Sequence, residues 1–217
     1  MRAIFVNWPF DKKQSYLLNC KTPGSNIDKG GASMADALLN LWKLVLRLYV
    51  WGGKNRWAVI LIDMQAGFLE CISHRTQKKL IKNQVQVLEY CRLNSIPLII
   101  LEYEGYGRTH KKLMRKAKKI PKCIIIQKCL NNGFTNPGLE KCLLELRIKT
   151  VLLMGINADY CVKSTGLSAI HHGFRIVTAN SLIAGMPSHS KDNSAEWYQC
   201  NGIFADTHRD ILSELTI

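Results

Sequence analysis

The sequence predicts a three-layer α/β/α domain with a mostly parallel central sheet, preceded by an N-terminal extension. Short continuous apolar runs, bounded by turn-forming residues, are typical of strands that are buried on both faces of a parallel sheet. These runs alternate with longer segments of helical periodicity, which is the pattern of strand–helix–strand units. Because such units place helices on both faces of the sheet, the pattern predicts three layers.

The composition limits the class of protein to which the chain can belong. The 217 residues are 47% hydrophobic, which suits a well-buried domain and disfavours a disordered or fibrous chain. Lys and Arg number 30 against 16 acidic residues, and the net charge is +14. This excess indicates either an anionic ligand or a solvated basic face. No nucleic-acid-binding signature accompanies the basic runs, so we expect no nucleic-acid partner.

The cysteines indicate a reducing compartment. All 8 are scattered singly along the chain, and no two have CxxC spacing. A disulfide scaffold and a structural zinc site are therefore disfavoured. The first ten residues lack an apolar stretch long enough for a secretory signal. We accordingly expect a cytoplasmic protein.

Residues 1–54 form the predicted N-terminal extension, because they do not share the pattern of the remaining domain, residues 55–217. A helix is predicted at 34–51, and its polar residues make one narrow stripe: Asp36, Asn40, Lys43 and Arg47. A helix this apolar must be buried against the following domain, at a subunit interface or on a membrane surface. A transmembrane segment is disfavoured, since two of the stripe's basic residues would lie near the middle of the span.

The predicted elements of residues 55–217 follow one another in a regular order. Apolar runs predict buried strands, and amphipathic or proline-initiated segments predict helices. The strands are expected at 57–62, 98–101, 122–127, 151–154 and 174–177, and the helices at 76–94, 111–119, 137–147, 162–172, 194–199 and 206–215. The unit at 150–180 is the most distinct, because Gly155 ends its first apolar run and Gly173 suits a helix C-cap.

Three chemically capable residues stand at the predicted carboxyl ends of three strands. Asp63 follows the first strand, Lys128 follows the third, and Cys161 opens the helix after the fourth. In open parallel sheets, ligands bind beyond the carboxyl ends of the strands. A helix N-terminus and a nearby cation both lower the pKa of a thiol, so we expect Cys161 to be an activated nucleophile. Taken singly, Cys161 is more often a core cysteine, Lys128 an exposed charge at a strand end and Asp63 a turn residue.

The three surrounding segments resemble the isochorismatase-like cysteine hydrolases, a superfamily that includes nicotinamidases and N-carbamoylsarcosine amidases. AVILIDMQAGF is similar to the family's first strand with its aspartate, and IIIQKCLNNGF is similar to the segment that bears the lysine. GINADYCVKSTGLSAIHHGFRIVTANSLIA is similar to the cysteine motif. The resemblance covers about three quarters of the chain, and three motifs in the family's order make it specific.

The resemblance implies roles for particular residues. Asp63 is expected to act as the general base, Lys128 to stabilise the thiolate and Cys161 to attack the substrate. The backbone amides of Asn157 and Cys161 are expected to form the oxyanion hole, with a cis peptide bond between Ile156 and Asn157. The expected walls of the substrate pocket are Gln65, Phe68 and Phe134, with core packing as an equal alternative for the two phenylalanines.

The departures from the family concern the substrate. Nicotinamidases carry an Asp-x-His element and a further histidine that bind a metal, whereas this chain reads LEYEGYGRTH there, with Glu102, Glu104 and His110. The spacing differs from the family's, so we expect no metal and no other cofactor, and nicotinamide is disfavoured as substrate. Isochorismate is also disfavoured, because the family's vinyl-ether hydrolases do not need the cysteine that this chain retains.

These observations predict a cysteine-dependent hydrolase that cleaves the C–N bond of a small amide or ureido compound through a thioester. Similar proteins are often dimers or tetramers, so a homo-oligomer is expected. The competing hypothesis is an inactive hydrolase-like domain whose basic face and N-terminal helix bind a protein or membrane partner.

Overall fold

The computed structural model describes residues 56–185 and 191–215. The predicted extension at 1–54, with its helix at 34–51, lies outside these residues, and its boundary and role stay predictions. Within the described residues, no helix combines the length and apolar character needed to cross a bilayer.

Seven strands and seven α-helices make up the described part of the chain. The strands are β1 (Trp57–Ile62), β2 (Leu98–Tyr103), β3 (Cys123–Lys128), β4 (Thr150–Ile156), β5 (Arg175–Ala179), β6 (Ile183–Ala184) and β7 (Ile203–Ala205). The α-helices are α1 (Ala66–Leu69), α2 (His74–Asn94), α3 (Lys111–Ala117), α4 (Pro137–Glu145), α5 (Lys163–His171), α6 (Lys191–Asn201) and α7 (His208–Leu215). A 3-10 turn spans Gly133–Thr135, and a π-helical turn spans Ala158–Val162.

The strands form one sheet in the order β3-β2-β1-β4-β5-β7, with β6 paired to β4. Every strand pair in this sheet is parallel. All the long strands therefore end at the same edge, where functional side chains can meet. The predicted parallel α/β architecture is confirmed.

Helices cover both faces of the sheet. Alternate residues of β1 point to opposite faces, and those at Ala58, Ile60 and Ile62 join a buried cluster with residues from α4, α5 and α6. The other face is covered by α2, which packs against α3 and α7. Both faces of β1 are thus fully buried, which explains its uninterrupted apolar sequence.

The structure departs from the predicted elements at β3, at β7 and at Cys161. The third strand, expected to be buried, is instead the edge strand β3 of the sheet that the described residues form, and Ile124 and Ile125 on it are exposed. The short strand β7 was not predicted, because its three residues give too little periodicity. Cys161 lies in the π-helical turn before α5, rather than in that helix.

Gly155 lies inside β4 and allows it to approach β1 closely. Its φ of 149° is in a region that residues with a side chain rarely adopt, and a Cβ atom there would collide with the carbonyl oxygen of Ile62. Ile62 directly precedes Asp63. The glycine is therefore needed for the contact that brings the ends of β1 and β4 together. Because β4 continues to Ile156, the prediction that Gly155 ends the strand is wrong by one residue.

Candidate active site

Asp63 is placed at the sheet edge by the end of β1. Its backbone N–H donates to the carbonyl of Leu101 in β2 (3.0 Å), and its φ is 51°. Asp and Asn tolerate this left-handed conformation better than most residues with a side chain. The Asp63 side chain is fully buried, and its Oδ1 atom has no hydrogen-bond partner among the described residues. An unpaired buried carboxylate oxygen is costly, and it is therefore a candidate proton acceptor.

Lys128 reaches Asp63 from two strands away. It is the last residue of β3, and β2 lies between β3 and β1. Its Nζ donates to Asp63 Oδ2 (2.7 Å) and to the carbonyl of Leu130 (3.1 Å), and lies 4.4 Å from the centroid of the Tyr103 ring. Neighbouring strands are about 4.8 Å apart, so only a long side chain can cross β2. The Tyr103 ring stabilises the buried Lys128 ammonium through a cation–π interaction.

Cys161 is positioned by the π-helical turn after β4. The Asn157 carbonyl accepts from the N–H groups of Tyr160 (3.1 Å) and Val162 (3.1 Å), which fixes the turn. The peptide bond between Ile156 and Asn157 is cis, as expected. The backbone amide of Asn157 interacts with the sulfur of Cys161. An amide donor thus faces the atom at which a bond to substrate would form.

The loop after β3 brings Asn131 against the thiol. Cys161 Sγ lies 3.6 Å from Asn131 Oδ1 and donates to it. The loop is tied to α5 by Gly133 N–H donating to Thr165 Oγ1 (3.0 Å) and by Asn132 Nδ2 donating to Ser168 Oγ (2.7 Å). Sequence reasoning did not select Asn131, although it lies in the same motif as Lys128. Nor did it select Tyr103, whose signal was its place at the end of the strand between β1 and β3.

Burial dominates the electrostatics of the site. It raises the pKa of Cys161 to about 12, with the Asp63 carboxylate adding to the rise, while Lys128 and the Asn157 amide oppose it. Burial also raises the pKa of Asp63, and the Lys128 ammonium limits that rise. The expected lowering of the thiol pKa is therefore wrong for the free protein, because desolvation of the thiolate outweighs the cation and the amide.

The thiol and the carboxylate influence each other directly. Asp63 Oδ1 makes no hydrogen bond of good geometry among the described residues, yet the Cys161 thiol is near enough to oppose the rise in the Asp63 pKa, and the carboxylate raises the thiol pKa in turn. The thiol, which donates to Asn131 Oδ1 in this structure, thus has a second and more basic proton acceptor close by. Asp63, Lys128 and Cys161, three residues from three separate strand ends, come together in one buried group.

Gln65 holds the loop after β2. Its Nε2 donates to the carbonyls of Tyr103 (2.9 Å) and Gly107 (2.7 Å), and its Oε1 accepts from the Tyr103 N–H (2.8 Å). These bonds engage both ends of the buried amide. Gln65 therefore holds Tyr103 and Gly107 in place in this structure, and its expected contact with substrate stays a prediction.

The two phenylalanines of the expected pocket have different surroundings. Phe68 stacks on Tyr106 (centroids 4.5 Å apart) and contacts Tyr103 (5.9 Å), so it supports an aromatic group beside Lys128. Phe134 stacks on His172 (4.8 Å) and contacts Phe174 (6.0 Å), beyond the far end of α5. For Phe134, the contacts match the core-packing alternative.

The residues at the nicotinamidase metal position do not fit a metal site. The buried Glu102 accepts from Thr109 N–H (2.8 Å), Thr109 Oγ1 (2.9 Å) and Gln127 Nε2 (2.8 Å), and Arg108 lies 3.4 Å away. These donors lower the pKa of the Glu102 carboxyl although burial opposes them. His110 accepts from Lys112 N–H as the N-cap of α3. Glu102 is thus committed to structural bonds, and His110 uses its Nδ1 atom as a helix cap (3.3 Å from Lys112 N).

Comparisons with known proteins identify the family and the fold. The isochorismatase domain model matches residues 57–208. The probable hydrolase YcaC of Escherichia coli is 23% identical over 176 residues, which are 77% of this chain and 85% of YcaC. The crystal structure of YcaC, described as an octameric hydrolase of unknown specificity, superposes with a TM-score of 0.66, 20% identity and coverage of 75% of this chain and 80% of YcaC.

Two further solved structures share the fold. The MAR1 ribonuclease of Caenorhabditis elegans has a TM-score of 0.66 at 20% identity, over 75% of this chain and 82% of that one. The N-carbamoylsarcosine amidase of Thermoplasma acidophilum has a TM-score of 0.60 at 18% identity, over 70% of this chain and 96% of that one. The match of the family model to well over half of the residues, together with the parallel sheet, shows that this chain belongs to the isochorismatase family of hydrolases.

Proposed function

We propose that this protein is a cysteine-dependent hydrolase of a small amide or ureido C–N bond, with Cys161 as nucleophile, Asp63 as base and Lys128 as the supporting cation. The observation that carries the proposal is the buried group itself. An ion pair of 2.7 Å between Lys128 and Asp63 leaves the second carboxylate oxygen unpaired beside a thiol. A purely structural ion pair has no need of an unpaired oxygen next to a nucleophile.

The first step is transfer of the thiol proton to Asp63. In the free protein the thiol is protonated, because its pKa is raised to about 12. The raised pKa of Asp63 makes its carboxylate a stronger base than an ordinary aspartate. Lys128 then faces the new thiolate and compensates for its charge. The thiolate therefore forms only when Asp63 takes the thiol proton, and the resting protein holds a neutral thiol.

The thiolate next attacks the carbonyl carbon of the substrate and forms a tetrahedral intermediate. The amide of Asn157, which faces the sulfur, and the amide of Cys161 are the proposed donors to its oxyanion. Asp63 returns its proton to the leaving nitrogen, the C–N bond breaks, and an amine or ammonia departs. Asp63 then takes a proton from water, which hydrolyses the thioester and regenerates the thiol.

The enclosure of the site favours a small substrate. Asp63 and Cys161 are fully buried, and Lys128 is 2% exposed. A bulky acyl group or a peptide would have to displace the surrounding protein, whereas a small amide would not. The aromatic side chains of Phe68, Tyr103 and Tyr106 offer an apolar surface on the Lys128 side. Nicotinamide is disfavoured, because the carboxylate of Glu102, at the position of the expected metal ligands, is occupied by Thr109, Gln127 and Arg108.

The experiment that tests the proposal is an amide screen with covalent trapping. Purified full-length protein is incubated with small primary amides and ureido compounds in the presence of EDTA, and release of ammonia or amine is recorded. Acid-quenched samples of any active reaction are digested, and the Cys161 peptide is examined for an acyl adduct. We expect turnover that is lost in Cys161→Ala, with an adduct on Cys161 in the wild type. Turnover that persists in Cys161→Ala would refute the mechanism, and absence of turnover across the panel would favour the inactive interaction module.

We also propose that the protein is a homo-oligomer. The relative YcaC is described as octameric. The edge strand β3 leaves Ile124 and Ile125 exposed, and unprotected apolar edge strands tend to pair with another chain. A second copy is the occupant that suits this edge. Light scattering coupled to size-exclusion chromatography checks the proposal, and a monomer at micromolar concentration would contradict it.

A further inference from the structure

A cleft lies beyond the carboxyl ends of β5 and β7, at the same edge of the sheet as the triad. Its volume is about 570 Å³, which is within the usual range of small-molecule sites. The walls come from the first half of α2, from the segment after β5, and from the turn that begins α7. Neither Asp63, Lys128 nor Cys161 contributes to it.

The α2 wall of this cleft is a row of donors. Arg75, Lys79, Lys82 and Gln86 follow one another at intervals of four, three and four residues, so they lie on one face of the helix. The row is about 16 Å long at 1.5 Å per residue. Arg209 faces it from the start of α7.

The cleft has an uncompensated positive charge. Its lining has four exposed cationic side chains, those of Arg75, Lys79, Lys82 and Arg209, and one carboxylate, that of Asp206. The Asp210 carboxylate lies next to the lining, where it accepts from Thr207 N–H (3.1 Å) and Thr207 Oγ1 (2.7 Å), so the net charge around the cleft stays positive. Within the described residues, none of these charged groups takes part in an ion pair. Cations gathered in a concave surface without partners repel one another, and an anionic ligand would relieve that repulsion.

Hydrogen bonds tie the floor of the cleft together and leave one further donor, on Gln86. His208 is buried, and burial lowers its pKa, so the ring is neutral. Its Nε2 lies 2.6 Å from Gln86 Oε1 and must donate to it, and its backbone N–H donates to Ser181 Oγ (2.8 Å). Asn83 Nδ2 donates to the Ser181 carbonyl (3.0 Å). Because the Gln86 oxygen is occupied by His208, the free end of its amide is the donor nitrogen.

We propose that this cleft binds a small phosphorylated ligand with at least two negative charges, of about the size of a nucleotide. A ligand with a single carboxylate could satisfy only part of a row that is about 16 Å long. Phosphate groups carry several acceptor oxygens, which suit the guanidinium groups of Arg75 and Arg209 and the point charges of the lysines. Asp206 then contributes to selectivity, because its carboxylate repels a ligand whose negative charge extends toward β7.

The test is isothermal titration calorimetry of the full-length protein with inorganic tripolyphosphate and with ATP, at low salt and without added metal. The cleft variant is Lys79→Glu combined with Lys82→Glu. The matched control is Lys78→Glu combined with Lys118→Glu, which changes the net charge equally at exposed lysines outside the cleft. Thermal unfolding verifies that both variants are folded, and Arg209→Ala provides a second, independent probe of the cleft.

We expect saturable binding of at least one probe to the wild type, with affinity reduced about tenfold or more in the cleft variant and in Arg209→Ala. The control should stay within about twofold, and Asp206→Asn should bind more tightly. Equal loss in cleft and control variants would overturn the proposal in favour of general charge attraction. Tight binding of single-stranded RNA with no binding of either probe would overturn it in favour of a nucleic-acid surface. Absence of any binding would also overturn it.

Discussion

The Nζ atom of Lys128 lies 2.7 Å from Oδ2 of Asp63, and both side chains are shielded from solvent. The two residues are 65 positions apart in the sequence and come from strands that are not neighbours in the sheet. A buried ion pair of this kind gives little net stability, because desolvation of the charges offsets their attraction. Its presence at the edge where the ligand is expected is better explained by chemistry than by folding.

Removal of one partner should therefore destabilise the protein more than removal of both. Lys128→Met leaves the Asp63 carboxylate buried without a counter-ion, and we expect a loss of about 3–5 kcal/mol at pH 7. The double variant Asp63→Asn with Lys128→Met should recover much of that loss. Urea denaturation at pH 7 measures both values, and equal stability of the single and double variants would contradict the account.

The same variant should show a distinctive pH dependence. The folded-state pKa of Asp63 lies above its unfolded value of 3.8. The folded protein therefore holds this proton more tightly than the unfolded chain, and the associated stability is lost as the pH rises through the folded-state pKa. In Lys128→Met the pKa should rise further, so the variant should become more stable relative to the wild type as the pH falls from 7 to 5.

Gly155→Ala should weaken the contact between β1 and β4. The new Cβ atom would meet the Ile62 carbonyl, at a φ that alanine disfavours, so we expect a loss of about 2–4 kcal/mol. Gly173→Ala is the matched control. Gly173 also has a positive φ, of 79°, but nothing lies within 4 Å of its Cβ position, so only the conformational cost of about 1–2 kcal/mol applies. Chemical denaturation that ranks Gly173→Ala as the more damaging change would show that the collision has been relieved.

Tyr198→Phe tests the support beneath the π-helical turn. The buried Tyr198 hydroxyl donates to the Ala158 carbonyl (2.8 Å), next to Asn157. Phenylalanine keeps the stacking on Phe204 but leaves that carbonyl unsatisfied, so we expect a loss of about 1–3 kcal/mol. Tyr106→Phe, at a half-buried tyrosine, should change the unfolding free energy by less than about 0.5 kcal/mol. Similar losses in the two variants would argue against a specific role for Tyr198.

Glu89 should link α2 to α3 in a pH-dependent manner. Hydrogen bonds from Arg92 and Lys116 lower the pKa of Glu89 to about 2. Because this value is below the unfolded value of 4.5, the interaction stabilises the protein above pH 4.5 and is lost as the pH falls toward 2. Glu89→Gln should be less stable than the wild type at pH 7, with a difference that shrinks in acid. A difference that is constant between pH 7 and pH 3 would refute this.

The sequence was most informative where apolar runs are long. The strands β1, β2 and β4, and the long helix α2, could be placed because buried strands and amphipathic helices leave strong patterns. The position of β3 at the edge could not be predicted, since KCIIIQ reads as a buried strand whether or not a neighbour covers it. The order of strands in a sheet is set by packing between distant segments, and no local pattern records it.

The site also has features that the sequence could predict and features that it could not. Asp63, Lys128 and Cys161 could be selected because each follows a strand and all lie in motifs that resemble one family. The raised pKa of Cys161 could not be predicted, because it depends on how completely the surrounding loops exclude water. The hydrogen bonds of Gln65 could not be predicted either, because its partners Tyr103 and Gly107 are about 40 residues away in the sequence.

The measurement that tests the central claim most directly is the pH dependence of Cys161 alkylation by iodoacetamide, read by peptide mass spectrometry. The wild type is compared with Asp63→Asn and Lys128→Met, and the exposed Cys71 is the internal reference in each sample. The account predicts that wild-type Cys161 reacts with an apparent pKa well above the usual value of about 8.5. Asp63→Asn should lower that pKa by about one unit or more, because it removes a negative charge and leaves the ammonium beside the thiol, while Lys128→Met should raise it. Identical profiles in all three proteins would show that Cys161 is not coupled to Asp63 and Lys128, and the proposed mechanism would be wrong.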